Sequence, residues 1–322
     1  MLLSIVIPLY YPSDNIVSTI DSLKNQTSDN FELIFVNDGT PEEKLKVFYD
    51  MIQDLEFSYT VLHQRNIGVS GARNNGLLSA RGDYVLFLDS DDVIHEQYIE
   101  TIEKHLQNDL KVDALVYDCI IETDNGELVF DSTHKNKDNF PSDNLNIVSG
   151  FLSEKIYINV MSIVHRVEHL KNNNIHFDIN LKNGEDQEFN IKSLYYSDKT
   201  EYISRVLCKY IKHSKSYTSQ EFEMSKFGIL DKYNSLVGLS SQEEFVLALD
   251  KAKSRDIIYT LSNISKLQCK ESRKRYFSYW FDNYSNEIEV KALSKPYKLV
   301  YFLYKAYPQM VLFLLHFFNK IR

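Results

Sequence analysis

Across residues 1–120, short apolar runs alternate with segments of helical spacing, and no other feature of the chain restricts its fold as strongly. The runs are Leu3–Pro8, Phe31–Asn37, Tyr59–His63, Tyr84–Leu88 and Ala114–Ile120. Rich in β-branched and aromatic residues and too short for buried helices, they read as strands. Between them, Asn15–Asn25, Pro41–Ile52, Val69–Ala80 and His95–Asn108 carry apolar residues three to four apart, the period of a helix with one buried face. Pro41 after Thr40 predicts a first helical position behind an N-cap, with Glu42 and Glu43 in the first turn. Strands joined through helices form a mostly parallel sheet covered by helices on both faces, an α/β architecture. Ligands of such sheets bind outside the carboxyl ends of the strands, where Asn37-Asp38-Gly39 and Asp89-Ser90-Asp91-Asp92 both fall.

The later pattern is less regular. Glu122 to Glu127, with Asn125-Gly126 inside it, predicts a hairpin turn between Val116–Ile121 and Leu128–Phe130. Residues 131–148 are polar and read as loop, Asn159–Val164 as a strand, and Asp186–Tyr196 as a helix entered from Asn183-Gly184-Glu185. From about residue 222 the pattern is helical, which predicts two domains, 1–220 and 221–322. A length of 322 residues accommodates both. The net charge of −9 argues against nucleic acid as a partner. Cys119, Cys208 and Cys269 are widely spaced and form no C-x-x-C, as expected of a reducing cytoplasm and not of a disulfide or zinc scaffold. The opening Met1–Pro8 lacks a basic n-region and reads as a buried strand instead of a signal sequence.

The tail differs from the acidic body. After Glu289 there is no acidic residue, while Lys291, Lys295, Lys298, Lys305, Lys320 and Arg322 add six positive charges. Tyr297–Phe318 is apolar and aromatic, but Lys305 and Pro308 interrupt it, so it falls short of a span of about 20 apolar residues. Two readings stand open for 291–322: an interfacial helix pair on an anionic leaflet at the inner face of the cell membrane, or helices that pack their aromatics internally or in a homo-oligomer.

Three acidic residues at one strand end repel each other, so Asp89, Asp91 and Asp92 are poorly explained by stability. A divalent cation shared with a diphosphate would relieve the repulsion, and hard oxygen ligands suit Mg²⁺ or Mn²⁺. The alternative is a solvated turn in which Ser90 or Asp92 caps the following helix. Asp38 beside Gly39 can accept hydrogen bonds from a nucleobase or a ribose, or it is an ordinary turn aspartate. In Asn66-Ile67-Gly68-Val69-Ser70-Gly71-Ala72-Arg73-Asn74-Asn75-Gly76 the small residues allow close backbone approach, and Arg73 either binds a nucleotide phosphate or braces the two Asp clusters. The stretch is neither G-x-G-x-x-G nor a Walker loop, which disfavours dehydrogenase and NTPase readings. In Gly184-Glu185-Asp186, carboxylates at a helix N-terminus serve as a general base or as simple caps.

In order along the chain, Ser4-Ile5-Val6-Ile7-Pro8, Asp21-Ser22-Leu23 with Gln26-Thr27, Asn37-Asp38-Gly39, Asn66-x-Gly68 with Ala72-Arg73-Asn74-x-Gly76, Phe87-Leu88-Asp89-Ser90-Asp91-Asp92 and Gly184-Glu185-Asp186-x-x-Phe189 resemble the family 2 inverting glycosyltransferases of the GT-A fold. The resemblance covers roughly residues 1–215. It implies a transferase moving a hexosyl or N-acetylhexosaminyl group from a nucleotide-sugar, UDP more often than dTDP, to a glycan or lipid-linked oligosaccharide acceptor in surface polysaccharide synthesis. It implies Asp91 on Mn²⁺ or Mg²⁺ and Asp89 at the metal or the ribose. Asp38 would read the base, and Pro8, Gly39, Asn66, Arg73 and Ser90 would stand at the donor. Asp186 would be the general base with Glu185 in support. The chain departs from the family pattern at Tyr10-Tyr11-Pro12, where a polar Asn is usual. It also departs at Tyr210-Ile211-Lys212-His213-Ser214-Lys215-Ser216, where His213 is a third metal ligand in the resemblance and otherwise a surface histidine. Two other readings remain: a non-catalytic sugar-nucleotide or glycan-binding subunit, and a nucleotidyltransferase. The second lacks its Gly-rich basic loop after Pro8, and a binding module has no use for a base at Asp186.

Overall fold

The computed structural model describes residues 2–12, 15–107, 111–212, 222–267, 269–290, 298, 301 and 302. They divide into two compact units, one of Met1–Asn180 with Glu185–Ser216, the other of Leu181–Gly184 with Tyr217–Arg322. His213 and nearly all of the 291–322 tail lie outside the described residues.

The first unit opens with β1 (Leu3–Leu9), α1 (Ile16–Lys24), β2 (Phe31–Asp38), α2 (Lys46–Ile52), β3 (Tyr59–Gln64), α3 (Val69–Ser79), β4 (Tyr84–Phe87), β5 (Val93–Ile94) and α4 (Tyr98–Leu106). It continues with β6 (Ala114–Thr123), β7 (Leu128–Asp131), α5 (Thr133–Asn136), α6 (Asn144–Leu152), β8 (Ile163–Arg166), α7 (Val167–Asn172), α8 (Glu185–Tyr196) and β9 (Thr200–Lys212). The sheet runs β3-β2-β1-β4-β8-β6-β9-β5, with β7 beside β6. Its first four strands are all parallel, so β1, β2, β3 and β4 end at one edge. Beyond β4 the sheet is mixed: β8 runs antiparallel to β4 and β6, while β6 and β9 are parallel.

Alternation of side chains along the strands makes two cores. Leu3, Ile5, Leu33, Phe35, Tyr84 and Leu86 face one layer, where Ile20 and Leu23 of α1, Phe48 of α2 and Ile99 and Ile102 of α4 cover them. Val6, Ile34, Val36, Val85 and Phe87 face the other, under Ala72 and Leu77 of α3, Leu170 of α7 and Phe189 of α8. Gly76 lets α3 lie directly on β1, since a Cβ there would stand 2.2 Å from Val6 Cγ1.

Several elements differ from the sequence reading. Pro41 is extended (φ −57°, ψ 143°) and precedes a short 3-10 turn, Glu42–Lys44, so the helix starts only at Lys46. The polar stretch 131–148 is not loop throughout: it holds α5 and the start of α6, whose first turn is capped by Asp143 accepting from Asn146 N at 3.0 Å. The strand expected over Asn159–Val164 is displaced to Ile163–Arg166, because Asn159 and Ser162 close a turn on each other's backbone. The hairpin at 122–127 forms, with Gly126 N bonded to the Thr123 carbonyl and φ +77°. Strand β9 adds a pairing with β6 that the periodicity of its polar sequence conceals.

The second unit holds a 3-10 segment Met224–Leu230, α9 (Lys232–Leu236), α10 (Glu243–Lys266) and α11 (Lys270–Tyr284). Trp280 is fully buried and donates to the Ile257 carbonyl at 2.8 Å. Buried Lys232 pairs with Asp256 at 3.1 Å. No helix among the described residues is long and apolar enough to cross a membrane.

Candidate active site

The site is built at the carboxyl edge of the parallel strands. At the end of β2, Asn37 closes a turn on Thr40, accepting from its N–H and donating to its carbonyl, each at 2.9 Å. Gly39 in that turn has φ +86°, and a Cβ would meet Asn66 N at 2.8 Å, so glycine is required twice over. Asp38 is buried, and both of its oxygens are engaged. Oδ1 accepts from Gln64 Nε2 at 2.8 Å and Ile67 N at 2.9 Å, and Oδ2 accepts from Gly68 N at 2.9 Å. Asn75 of α3 in turn donates to Gln64 at 3.0 Å. Asp38 therefore ties the entry of α3 to the ends of β2 and β3. Tyr11 N reaches the same turn, donating to Thr40 Oγ1 at 2.7 Å, and Tyr10 and Tyr11 are exposed. Pro8 pairs in register with Val36 one strand away, while Asn66 is exposed beside Gly39.

After β4, Asp92 N donates to the Asp89 carbonyl and closes a turn that carries Ser90 and Asp91, both half-buried. Neither Ser90 nor Asp92 caps a helix: α4 starts at Tyr98 behind Gln97. Asp92 instead is buried and accepts from Ile211 N on β9 at 3.1 Å. Burial, with the charges of Asp89 and Asp91 beside it, pushes the Asp92 carboxyl well above the usual carboxylate range. Asp89 is the more open member, with its side chain 35% exposed.

Arg73 is buried and joins this turn to α8, donating from Nη2 to Asp89 Oδ1 at 2.6 Å and from Nη1 to Glu185 Oε1 at 3.4 Å. Its guanidinium lies over the Phe177 ring, 5.3 Å from the centroid. Burial opposes its charge, but Asp89 and Glu185 outweigh that cost and raise its pKa. Glu185 stands at the first residue of α8. Burial and then the adjacent Asp186 push its pKa up to about 7, against the pull of Arg73. Asp186 Oδ1 accepts from Gln187 N at 2.8 Å. Phe189, one turn further along α8, stacks on Phe177 at 3.9 Å with the rings parallel to within 1°.

Among the site residues expected from sequence, Arg73 contacts both Asp89 and Glu185, the charge of Asp186 acts on Arg73 and Glu185, and those of Asp89 and Asp91 act on Asp92. Asp38, Gly39 and Asn66 gather at the β2 turn. Sequence reasoning missed Phe177, Gln64 and Asn75; a phenylalanine in an irregular segment carries no periodic signal. Among the described residues no three of His, Cys, Asp and Glu converge as a metal cage.

A model of glycosyl transferase family 2 matches residues 4–166. The chain is 27% identical over 221 residues to EpsH of Bacillus subtilis (strain 168), an alignment covering 66% of this chain and 61% of that protein. It is 38% identical over 100 residues to the amylovoran biosynthesis glycosyltransferase AmsB of Erwinia amylovora, covering 30% of this chain and 33% of that one. The chain thus spans about three-fifths or less of the length of these relatives. Residues 1–349 of S. aureus TarS in complex with UDP-GlcNAc superpose with a TM-score of 0.72 at 19% identity, covering 99% of this chain and 92% of that one. That likeness is one of fold, and it extends through Glu185 and Asp186, which the family match does not reach. On the match over its N-terminal half, the chain belongs to glycosyl transferase family 2.

Proposed function

We propose that this protein transfers a sugar from a nucleotide-sugar to a hydroxyl of a glycan or lipid-linked acceptor, with inversion at the anomeric carbon. The observation that carries the reading is the meeting of two acidic segments, 96 residues apart between Asp89 and Glu185, on the buried guanidinium of Arg73. Such an arrangement holds a leaving group and a base on one edge without fusing the two.

Asp186 is the general base. It stands at the N-terminus of α8, where the helix dipole favours a negative charge, and takes the proton of the acceptor hydroxyl as that oxygen attacks. Attack comes from the face opposite the leaving diphosphate, as in inverting hydrolysis with a sugar hydroxyl in place of water. Glu185 and Arg73 set the charge around it. Asp38 acts through the loop that it pins, because its oxygens already hold Ile67 N, Gly68 N and Gln64. Pro8, Gly39, Asn66 and Ser90 complete the donor side.

Asp89 and Asp91 would hold Mg²⁺ or Mn²⁺. The donor set fits: two carboxylates suffice where substrate phosphates and waters fill the other positions, and the side chain of Asp89 is 35% exposed beside its contact with Arg73. When bound, the cation supplies Lewis-acid neutralisation of the departing diphosphate.

UDP-GlcNAc, the ligand of the TarS complex, is the first donor to test, in a panel of nucleotide-sugars with and without Mn²⁺. The polysaccharide context of AmsB favours a surface-glycan acceptor. Asp186→Asn should lower transfer by ~10²–10⁴-fold while calorimetry finds nucleotide binding retained. Undiminished turnover in that variant would remove Asp186 from the role of base.

A further inference from the structure

Asn74 follows Arg73 on α3 but points to a different partner. Its Nδ2 donates to the Phe177 carbonyl at 2.8 Å, and its Oδ1 accepts from Phe177 N at 2.9 Å, a pincer on a backbone 103 residues away. Only a side chain with a donor and an acceptor at this reach closes it: aspartate lacks the donor, and serine is too short. The ring so held has two neighbours. One face carries the Arg73 guanidinium, and the ring stacks on Phe189 of α8. Phe189 lies four residues after Glu185 and three after Asp186, hence on the same side of the helix as both. Phe87 of β4 packs edge-on against Phe177 at 4.9 Å and closes the cluster from below.

We infer that Asn74 and Phe177 are positioning residues for the transfer site: they lock the Arg73 guanidinium and the first turn of α8 into one register, and so hold Glu185 and Asp186 at a set distance from Asp89. The inference deepens the function proposed above and rests on it for the word transfer. The register itself is a property of the folded chain. A change of 1 Å at such a site is enough to impair catalysis by orders of magnitude, and Arg73 to Glu185 is already the longer of its two ion pairs.

The groups facing Glu185 are Asp186, Arg73 and Asp89, so its ionisation reports where Arg73 stands. The test is a carboxyl ¹³C NMR titration of glutamate-labelled protein, with the Glu185 signal assigned by its loss in Glu185→Gln. In Phe177→Leu, which keeps an apolar side chain but removes the ring face, the Glu185 midpoint should rise by about one unit as its cation loosens. Asn74→Leu, similar in size and uncharged, removes both arms of the pincer, should shift it the same way and keeps the test open if Phe177→Leu folds poorly. Phe35→Leu is the control, an equally buried ring in the core layer on the opposite face of the sheet. An unmoved midpoint in Phe177→Leu or Asn74→Leu overturns the inference, as does an equal shift in Phe35→Leu. None of these readings requires turnover, so a failure here is distinguishable from failure of the transferase assignment.

Discussion

Asp38 and Asp89 follow from the same kind of sequence, an apolar parallel strand ending in an acidic turn, yet the fold uses them in opposite ways. Asp38 accepts from two backbone N–H groups of the loop leading into α3 and from the amide of Gln64 at the end of β3, all neutral donors. Among the described residues Asp89 meets one cation, Arg73, which it shares with Glu185, and its side chain is 35% exposed. The first carboxylate is held by its own surroundings. The second keeps an open face, where we propose that the donor and its cation bind. The number and kind of donors around a strand-end carboxylate therefore separate a structural aspartate from a binding one.

The sharpest way to break this comparison is Asp91→Ala. With half of the proposed oxygen pair gone, metal-dependent nucleotide affinity should fall by roughly 100-fold or more, at least the loss seen when outer-shell partners of metal sites are removed, with the unfolding midpoint unchanged. Calorimetry with and without Mn²⁺ reads the effect; equal affinities in variant and wild type would return Asp91 to the class of Asp38. Asp38→Asn should do the reverse. It replaces a charged acceptor with an amide facing N–H groups and should cost about 2 kcal/mol in denaturant unfolding. Intact stability with lost nucleotide binding would make Asp38 a ligand contact after all.

The smallest effect concerns Glu185. Its carboxyl binds a proton more tightly in the folded chain, about 7 against 4.5 for an ordinary glutamate. The unfolded chain thus releases that proton first as pH rises, and stability is lost between about pH 4.5 and 7. Glu185→Gln, which cannot ionise, should match wild type near pH 4.5 and become progressively the more stable as pH rises to about 7. A gap that does not grow with pH would show that Arg73 fully compensates the charge.

Much of the site was legible because its parts sit at strand ends. The strands β1, β2 and β4 are buried on both faces, so their apolar runs and the turns after them stand out in the sequence. Other elements hid for local physical reasons. Strand β9 carries Arg205, Lys209 and Lys212 and is mostly half-buried, so it has no apolar period to find. The start of α6 depends on one capping contact, Asp143 to Asn146, inside a polar stretch. Phe177 has no sequence signal at all, since its partners Asn74, Arg73 and Phe189 come from two helices distant in the chain.

The sequence by itself determined the parallel half of the sheet, the acidic turns at its carboxyl edge and the family, because period and local turn chemistry are written in neighbouring residues. It also narrowed Arg73 to two roles, a phosphate ligand or a brace between acidic clusters. Only the tertiary structure chose the partners of its guanidinium, burying it over Phe177 with Asp89 on one side and Glu185 on the other. That choice depends on long-range contacts, and a residue's charge acquires its role only from the partners that the fold brings to it.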